Sequence, residues 1–327
     1  MAARWWIVLG AALLLALPAS LLAGAVWIDP FGPPVRNAAL ILIELRAPRS
    51  MLALVIGAGL GAAGAAMQGY LRNPLADPGL FGVAPMAALG AVASFWTGLA
   101  AQAWALPLFA LGGAALAMAL LGLIAGHARD GGMARGITLF TLAGMMIASL
   151  AGALTSLIIS VSPNPFALSM IVTWLMGALE NRGWADIWIA APPTAIGIAL
   201  LLRAGPSLDA LTLGDAAARS MGVDPRRLQV LMVLGVGLVV GGGVAVAGIV
   251  GFVGLIVPHL VRPLTDQRPG SLIAPSALAG ALLVLVADTL CRLVPLVGGE
   301  LRLGIALSVL GAPFFLWLLL RLRRDLA

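Results

Sequence analysis

The sequence predicts an all-α polytopic membrane protein of about ten transmembrane helices, folded as a single domain over residues 1–327. Three observations predict it. Of the residues, 61% are apolar and only 10% charged, too little polar surface for a chain whose solvent is water. The apolar residues fall into runs near the roughly 20 residues that a helix needs to cross about 30 Å of hydrocarbon. Charge, proline and glycine mostly punctuate those runs.

The first run, from Trp5 to Ile28, follows Arg4 and contains Ala16-Leu17-Pro18-Ala19-Ser20, which imitates a secretory leader. It is long enough to span and more spans follow, so it reads as the first helix. The second, 50–71, carries Gly57, Gly59, Gly61 and Gly64, a spacing that lets helix backbones approach closely. It ends before Pro74, which forces the preceding residue out of helical geometry. Apolar runs at 83–100, 104–126, 137–161 and 187–203 follow, then 228–249 with Gly241, Gly242 and Gly243. The run 252–262 is too short to cross alone and must begin inside the protein, where other helices shield irregular backbone. The run 272–294 carries Asp288, a costly carboxylate at that depth, with Arg292 one turn on as the expected partner. The run 303–320 closes the series.

Ten spans place both termini on one side. Basic residues near short loops stay in the cytoplasm, and a cytoplasmic N-terminus puts 13 of the 19 arginines there. The exceptions are Arg36, Arg46, Arg49, Arg182, Arg292 and Arg302. These six need a reason other than topology.

Composition also excludes activities. The net charge is +6, yet the chain contains no lysine. A phosphate-binding loop of the form G-x-x-x-x-G-K-[ST] needs its lysine, so ATP-driven work must come from a partner. The arginines are scattered singly, whereas nucleic acid calls for a clustered basic face. One cysteine, Cys291, forms no intrachain disulfide. Two histidines and one tyrosine leave a poor catalytic inventory. An intramembrane enzyme would need a Ser/His, paired Asp or metal constellation, and an ion-coupled carrier would need charged relays in its spans, which carry little beyond Asp288.

The longest polar connection, 204–227, reads as one or two short helices outside the membrane, separated by Gly214 and Gly222. Asp215 stands where a carboxylate favours a helix N-terminus. Its alanines and spaced aliphatics suit an amphipathic element docking on a soluble partner.

Five separated motifs then carry a resemblance: Arg46-Ala47-Pro48-Arg49; Gln68-Gly69-Tyr70-Leu71-Arg72-Asn73-Pro74-Leu75-Ala76-Asp77-Pro78-Gly79; Leu213 to Val223; Gly251 to Arg262, containing Val257-Pro258-His259; and Gly311-Ala312-Pro313-Phe314-Phe315-Leu316-Trp317. In this order and spacing the chain resembles the FecCD/BtuC-like permease subunits of type II ABC importers, which take up ferric siderophores, haem and vitamin B12. The resemblance implies the type II importer fold and a two-fold dimer, of identical copies or with a paralogue. It implies two ABC ATPase subunits holding ATP and Mg, a periplasmic substrate-binding protein, and no cofactor on this chain. It further implies ATPase coupling through Leu213, Gly214, Asp215, Ala216, Ala217, Arg219 and Gly222, and a cytoplasmic gate at Asn73, Leu75, Ile137 and Thr138. Arg46, Arg49 and Arg292 would receive acidic residues of the binding protein at the periplasmic mouth, so reversing Arg49 to Glu is expected to leave folding nearly unchanged. A ferric siderophore or haem is expected as cargo, with vitamin B12 the alternative. His259 reads as a hydrogen-bonding residue at a helix end rather than a haem or metal ligand. Met67, Met145, Met146, Met170 and Met176 are conceivable haem ligands too, and sequence alone does not distinguish them from packing residues.

Overall fold

The computed structural model describes residues 2–24, 26–32, 36–126, 132–162, 165–294 and 299–325. Its helices are α1 (Ala2–Leu22), α2 (Ala38–Leu40), α3 (Ala47–Leu71), α4 (Val83–Trp96), α5 (Ala105–Gly126), α6 (Gly132–Ser160), α7 (Pro165–Leu175), α8 (Trp184–Leu211), α9 (Asp215–Ser220), α10 (Pro225–Ala247), α11 (Val253–Val261), α12 (Pro269–Leu293) and α13 (Leu303–Asp325). A wide π-helical stretch, Ile41–Arg46, joins α2 to α3. Eight helical segments among the described residues are long and apolar enough to cross a membrane, and α4 and α11 occupy the places of the two remaining expected runs.

Those two are short for a physical reason. α4 starts after a 3-10 turn at Pro78–Phe81, and α11 starts after Phe252, whose φ of +66° reverses the chain. Val83, Val253, Leu255 and Val257 are all buried, so both helices begin in the protein interior. The short run at 252–262 behaves as its length requires. α7 was not anticipated. Its eleven residues open on Pro165, and no length criterion for a span would select them.

α3 and α10 form the centre of the bundle, with 78% of their spanning windows buried, whereas only 6% of the α1 window is covered. Glycine makes the central contacts possible. A Cβ on Gly57 would stand 2.3 Å from the Gly280 carbonyl oxygen, and one on Gly61 would stand 2.0 Å from that of Ser276. α3 and α12 therefore touch backbone to backbone, the packing that replaces a hydrophobic driving force in lipid. Gly64 meets the Gly254 carbonyl of α11 equally closely.

α8 runs to Leu211, eight residues beyond the expected end of its span at 203. Leu208 and Leu211 are buried against the bundle, and the Asp209 carboxylate accepts the Gly270 N–H at 2.6 Å, capping the start of α12. Apolar burial and this cap carry the helix past Pro206, so the exposed connection begins at Thr212 and not at 204.

Candidate coupling, gate and docking sites

At one end of the bundle the chain leaves α8, turns through Gly214 at φ +98°, forms α9, and leaves through Gly222 at φ +86°. Both conformations favour glycine, so the sequence brackets a helix of only six residues. Asp215 is its first residue, as its charge suits. The Gly222 N–H donates to the Arg219 carbonyl at 2.9 Å and the Val223 N–H to that of Ala218 at 3.0 Å, closing the C-terminus. Ala218 is fully buried and fastens α9 to the body, while Ala217 is half-buried. Ala216 and Arg219 face outward, and Leu213 and Met221 are 65% and 63% exposed. An outward aliphatic and an outward methionine on one short element are the anchors that an apolar groove on a partner would accept.

The segment Asn73-Pro74-Leu75 lies beside this element. Arg72 closes α3 in the left-handed region, at φ +51°, and its guanidinium pairs with the Asp215 carboxylate. Asn73 Oδ1 accepts the Leu75 N–H at 2.9 Å, a local turn that fixes the loop after Pro74. Gln68, Arg72, Asn73, Thr212, Arg262 and Gln267 surround a cavity of about 310 Å3 here. Gln68 fills a buried polar position: its Oε1 accepts from Arg262 at 2.8 Å and its Nε2 donates to the Gly254 carbonyl at 3.3 Å. Ile137 and Thr138 stand on the second turn of α6, which packs against α9. The sequence treated the candidate coupling and gate residues separately; in the structure α9 pairs with Arg72 and packs against α6.

At the opposite end of α3, about 35 Å away by helical rise, three of the six arginines singled out by their placement come together. Asp288 is fully buried. Arg49 holds it in a fork, with Nε 3.0 Å from Oδ2 and Nη2 2.9 Å from Oδ1, and reaches Glu300 at 2.6 Å through Nη1. Arg292 joins from one helical turn away, Nε to Oδ2 at 3.3 Å, and donates to Ser20 Oγ at 2.6 Å. The expected i+4 pair forms, but the principal partner is Arg49. Arg46 forms no ion pair with these carboxylates among the described residues. It donates to the carbonyls of Leu21 at 2.9 Å and Leu22 at 2.8 Å and to that of Val26. It thereby satisfies the open C-terminal carbonyls of α1, the role a cation takes at a helix end.

These contacts correct one expectation. Arg46 and Arg292 are 7% and 6% exposed and do not stand as open charges on a rim. The Arg49 side chain keeps 11% exposure. A reversal of Arg49 to Glu would set two carboxylates against each other beside a buried Asp288, so folding would not be left nearly unchanged.

Two of the three remaining exceptions, Arg182 and Arg302, meet around the turn between α7 and α8. Arg302 pairs with Glu180 at 2.5 Å and Arg182 with Asp186 at 3.8 Å. With Phe95, Met170 and Trp174 they line an open cleft of about 460 Å3. Only their breach of the arginine bias marked them in the sequence. His259 packs its ring edge-on against Phe314 at 5.7 Å. Met67 is buried, while Met145, Met146, Met170 and Met176 are exposed. No group of three His, Cys, Asp or Glu side chains suited to a metal occurs among the described residues.

The FecCD transport family model matches residues 7–321. The chain belongs to the FecCD transport family. It is 36% identical over 325 residues to the vitamin B12 import system permease proteins BtuC of Salmonella paratyphi A and Salmonella typhi, covering 98% of this chain and 96% of each relative. A solved inward-facing structure of a protein described as a metal-chelate type ABC transporter superposes with a TM-score of 0.83 at 28% identity, over 96% of this chain and 98% of that one. PsaBC from Streptococcus pneumoniae, solved with a Fab, shares the fold at a TM-score of 0.51 and 20% identity, over 82% and 88% of the two chains. As a FecCD family member the chain is a membrane transport subunit without catalytic chemistry of its own.

Proposed function

We propose that this FecCD family member is the membrane-spanning permease of an ATP-driven importer that carries a metal chelate across the bacterial inner membrane. It works as a two-fold dimer, with two ABC ATPase subunits supplying ATP and Mg below and a periplasmic substrate-binding protein above. The observation that carries the reading is α9. A helix held between two left-handed glycines, fastened by Ala218 and presenting Leu213 and Met221, stands on a chain that has no lysine for a nucleotide loop. Leu213, Gly214, Asp215, Ala216, Ala217, Arg219 and Gly222 form the coupling element. Asn73, Leu75, Ile137 and Thr138 form the cytoplasmic gate, and both termini are cytoplasmic.

The pathway runs along α6. This helix exposes Ser149, Gly152, Ser156 and Ser160 along one stripe. Hydroxyl groups facing outward suit a water-filled path or a second copy better than acyl chains. At the periplasmic mouth, three arginines against two carboxylates leave one net positive charge around Arg46, Arg49 and Arg292. The cluster draws an acidic surface of the binding protein as a field, with Arg49 nearest to it, and such rim charges act chiefly on encounter rate.

A ferric siderophore or haem is the proposed cargo. The similarity to vitamin B12 permeases over the whole chain favours cobalamin as the second reading. Calorimetric titration of the cognate binding protein with a ferric siderophore, haem and cyanocobalamin separates them. Tight binding of one and not the others assigns the cargo, and binding of none of the three removes the chelate reading.

A further inference from the structure

The coupling element and the gate proposed above are joined by an ion pair that neither role requires by itself. Arg72 caps the C-terminus of α3, and the backbone after it is wound tightly. The Asn73 N–H donates to the Gln68 carbonyl at 3.1 Å, the Leu75 N–H to Asn73 Oδ1 at 2.9 Å, and the Ala76 N–H to the Asn73 carbonyl at 3.1 Å. A displacement applied at Arg72 is therefore delivered to Leu75 and not absorbed by slack. On the other side, Asp215 is the first residue of α9, next to Gly214. Nothing lies within 4 Å of a Cβ built on Gly214 or Gly222, so the two turns that bracket α9 are uncrowded. α9 also packs against α6, whose second turn carries Ile137 and Thr138. One short helix thus touches α6 and, through Asp215, the end of α3.

We infer that the Arg72–Asp215 pair is the link through which an ATPase seated on α9 moves the cytoplasmic gate, with Arg72 and Asp215 as positioning residues. This rests on the proposed coupling role of α9. The pair is only partly covered, with side chains 41% and 22% exposed. Ion pairs so placed add little to stability, and breaking this one leaves the fold standing while removing the connection.

The test uses the full importer, permease with ATPase and binding protein, in proteoliposomes, reading chelate imported per ATP hydrolysed for Arg72→Glu, Asp215→Arg, the double exchange and Arg72→Lys. Each single reversal lowers the ratio at least about fivefold, the low end of coupling between two sites, and Arg72→Glu does so with ATP hydrolysis maintained. The exchanged pair restores most of the ratio, and Arg72→Lys keeps it. Unchanged ratios in the single reversals, or uncoupled singles that the exchange does not rescue, overturn the link. A cross-link from Ala216→Cys to the ATPase is read in the same complexes. Its absence removes the coupling role of α9 and the link with it, whereas its presence with unaltered ratios removes the link alone.

Discussion

At the scale of single residues, Asp288 organises the end of the bundle opposite α9. It is the fully buried carboxylate on which Arg49 and Arg292 converge. Removing it by Asp288→Ala leaves Arg292 without a carboxylate partner and Arg49 with Glu300 alone, and breaking a buried pair costs about 3–5 kcal/mol. Reversible unfolding in mixed micelles should register a loss of that size, with a smaller one for Asp288→Asn, which keeps hydrogen-bonding capacity. A near-neutral Asp288→Ala would show that the cluster is hydrated and not structural. Sequence reasoning found Arg292 because helical periodicity is local. It missed Arg49 as the main partner, since 239 residues separate the two and no spacing rule reaches across α3 and α12. It read Arg46 as a docking charge because the carbonyls it caps, on Leu21 and Leu22, carry no side-chain signal.

The legible features at the scale of elements were those set by backbone chemistry. Gly214, Asp215 and Gly222 announced α9, and Pro74 announced the end of α3. The glycines of the second span announced close packing, which the structure places between α3 and α12. Gly61→Leu forces a side chain into the Ser276 carbonyl, and overpacking of this kind costs about 1–3 kcal/mol. Lower yield and a lower melting temperature in detergent should follow, while Gly112→Leu on the open side of α5 should be tolerated. In α9 the sensitive positions differ in mechanism. Ala218→Glu buries a charge and should detach the helix from the body. At Gly222 the penalty is conformational, about 1–2 kcal/mol for a side chain in the left-handed region, and no neighbouring atom is crowded. Cysteine-accessibility labelling of α9 should rise for Ala218→Glu and stay near wild type for Gly222→Asn, since asparagine tolerates that region. α7 and the extension of α8 were not legible. Their boundaries are set by burial against other helices, which a linear sequence does not display.

For the whole molecule, the arginine bias makes a prediction about orientation. A fluorescent protein fused after Ala327 should be bright and an alkaline phosphatase fused there inactive, and the reverse pattern would invert the bundle. The central claim is that this FecCD family chain supplies the path and a partner supplies the power. Its most direct test is ATP hydrolysis by the purified chain, alone and after assembly with its ABC ATPase and binding protein in proteoliposomes. No hydrolysis by the chain alone is predicted, with hydrolysis and chelate import appearing together on assembly. Sustained hydrolysis by the isolated chain, with contaminating ATPases excluded, would contradict the account.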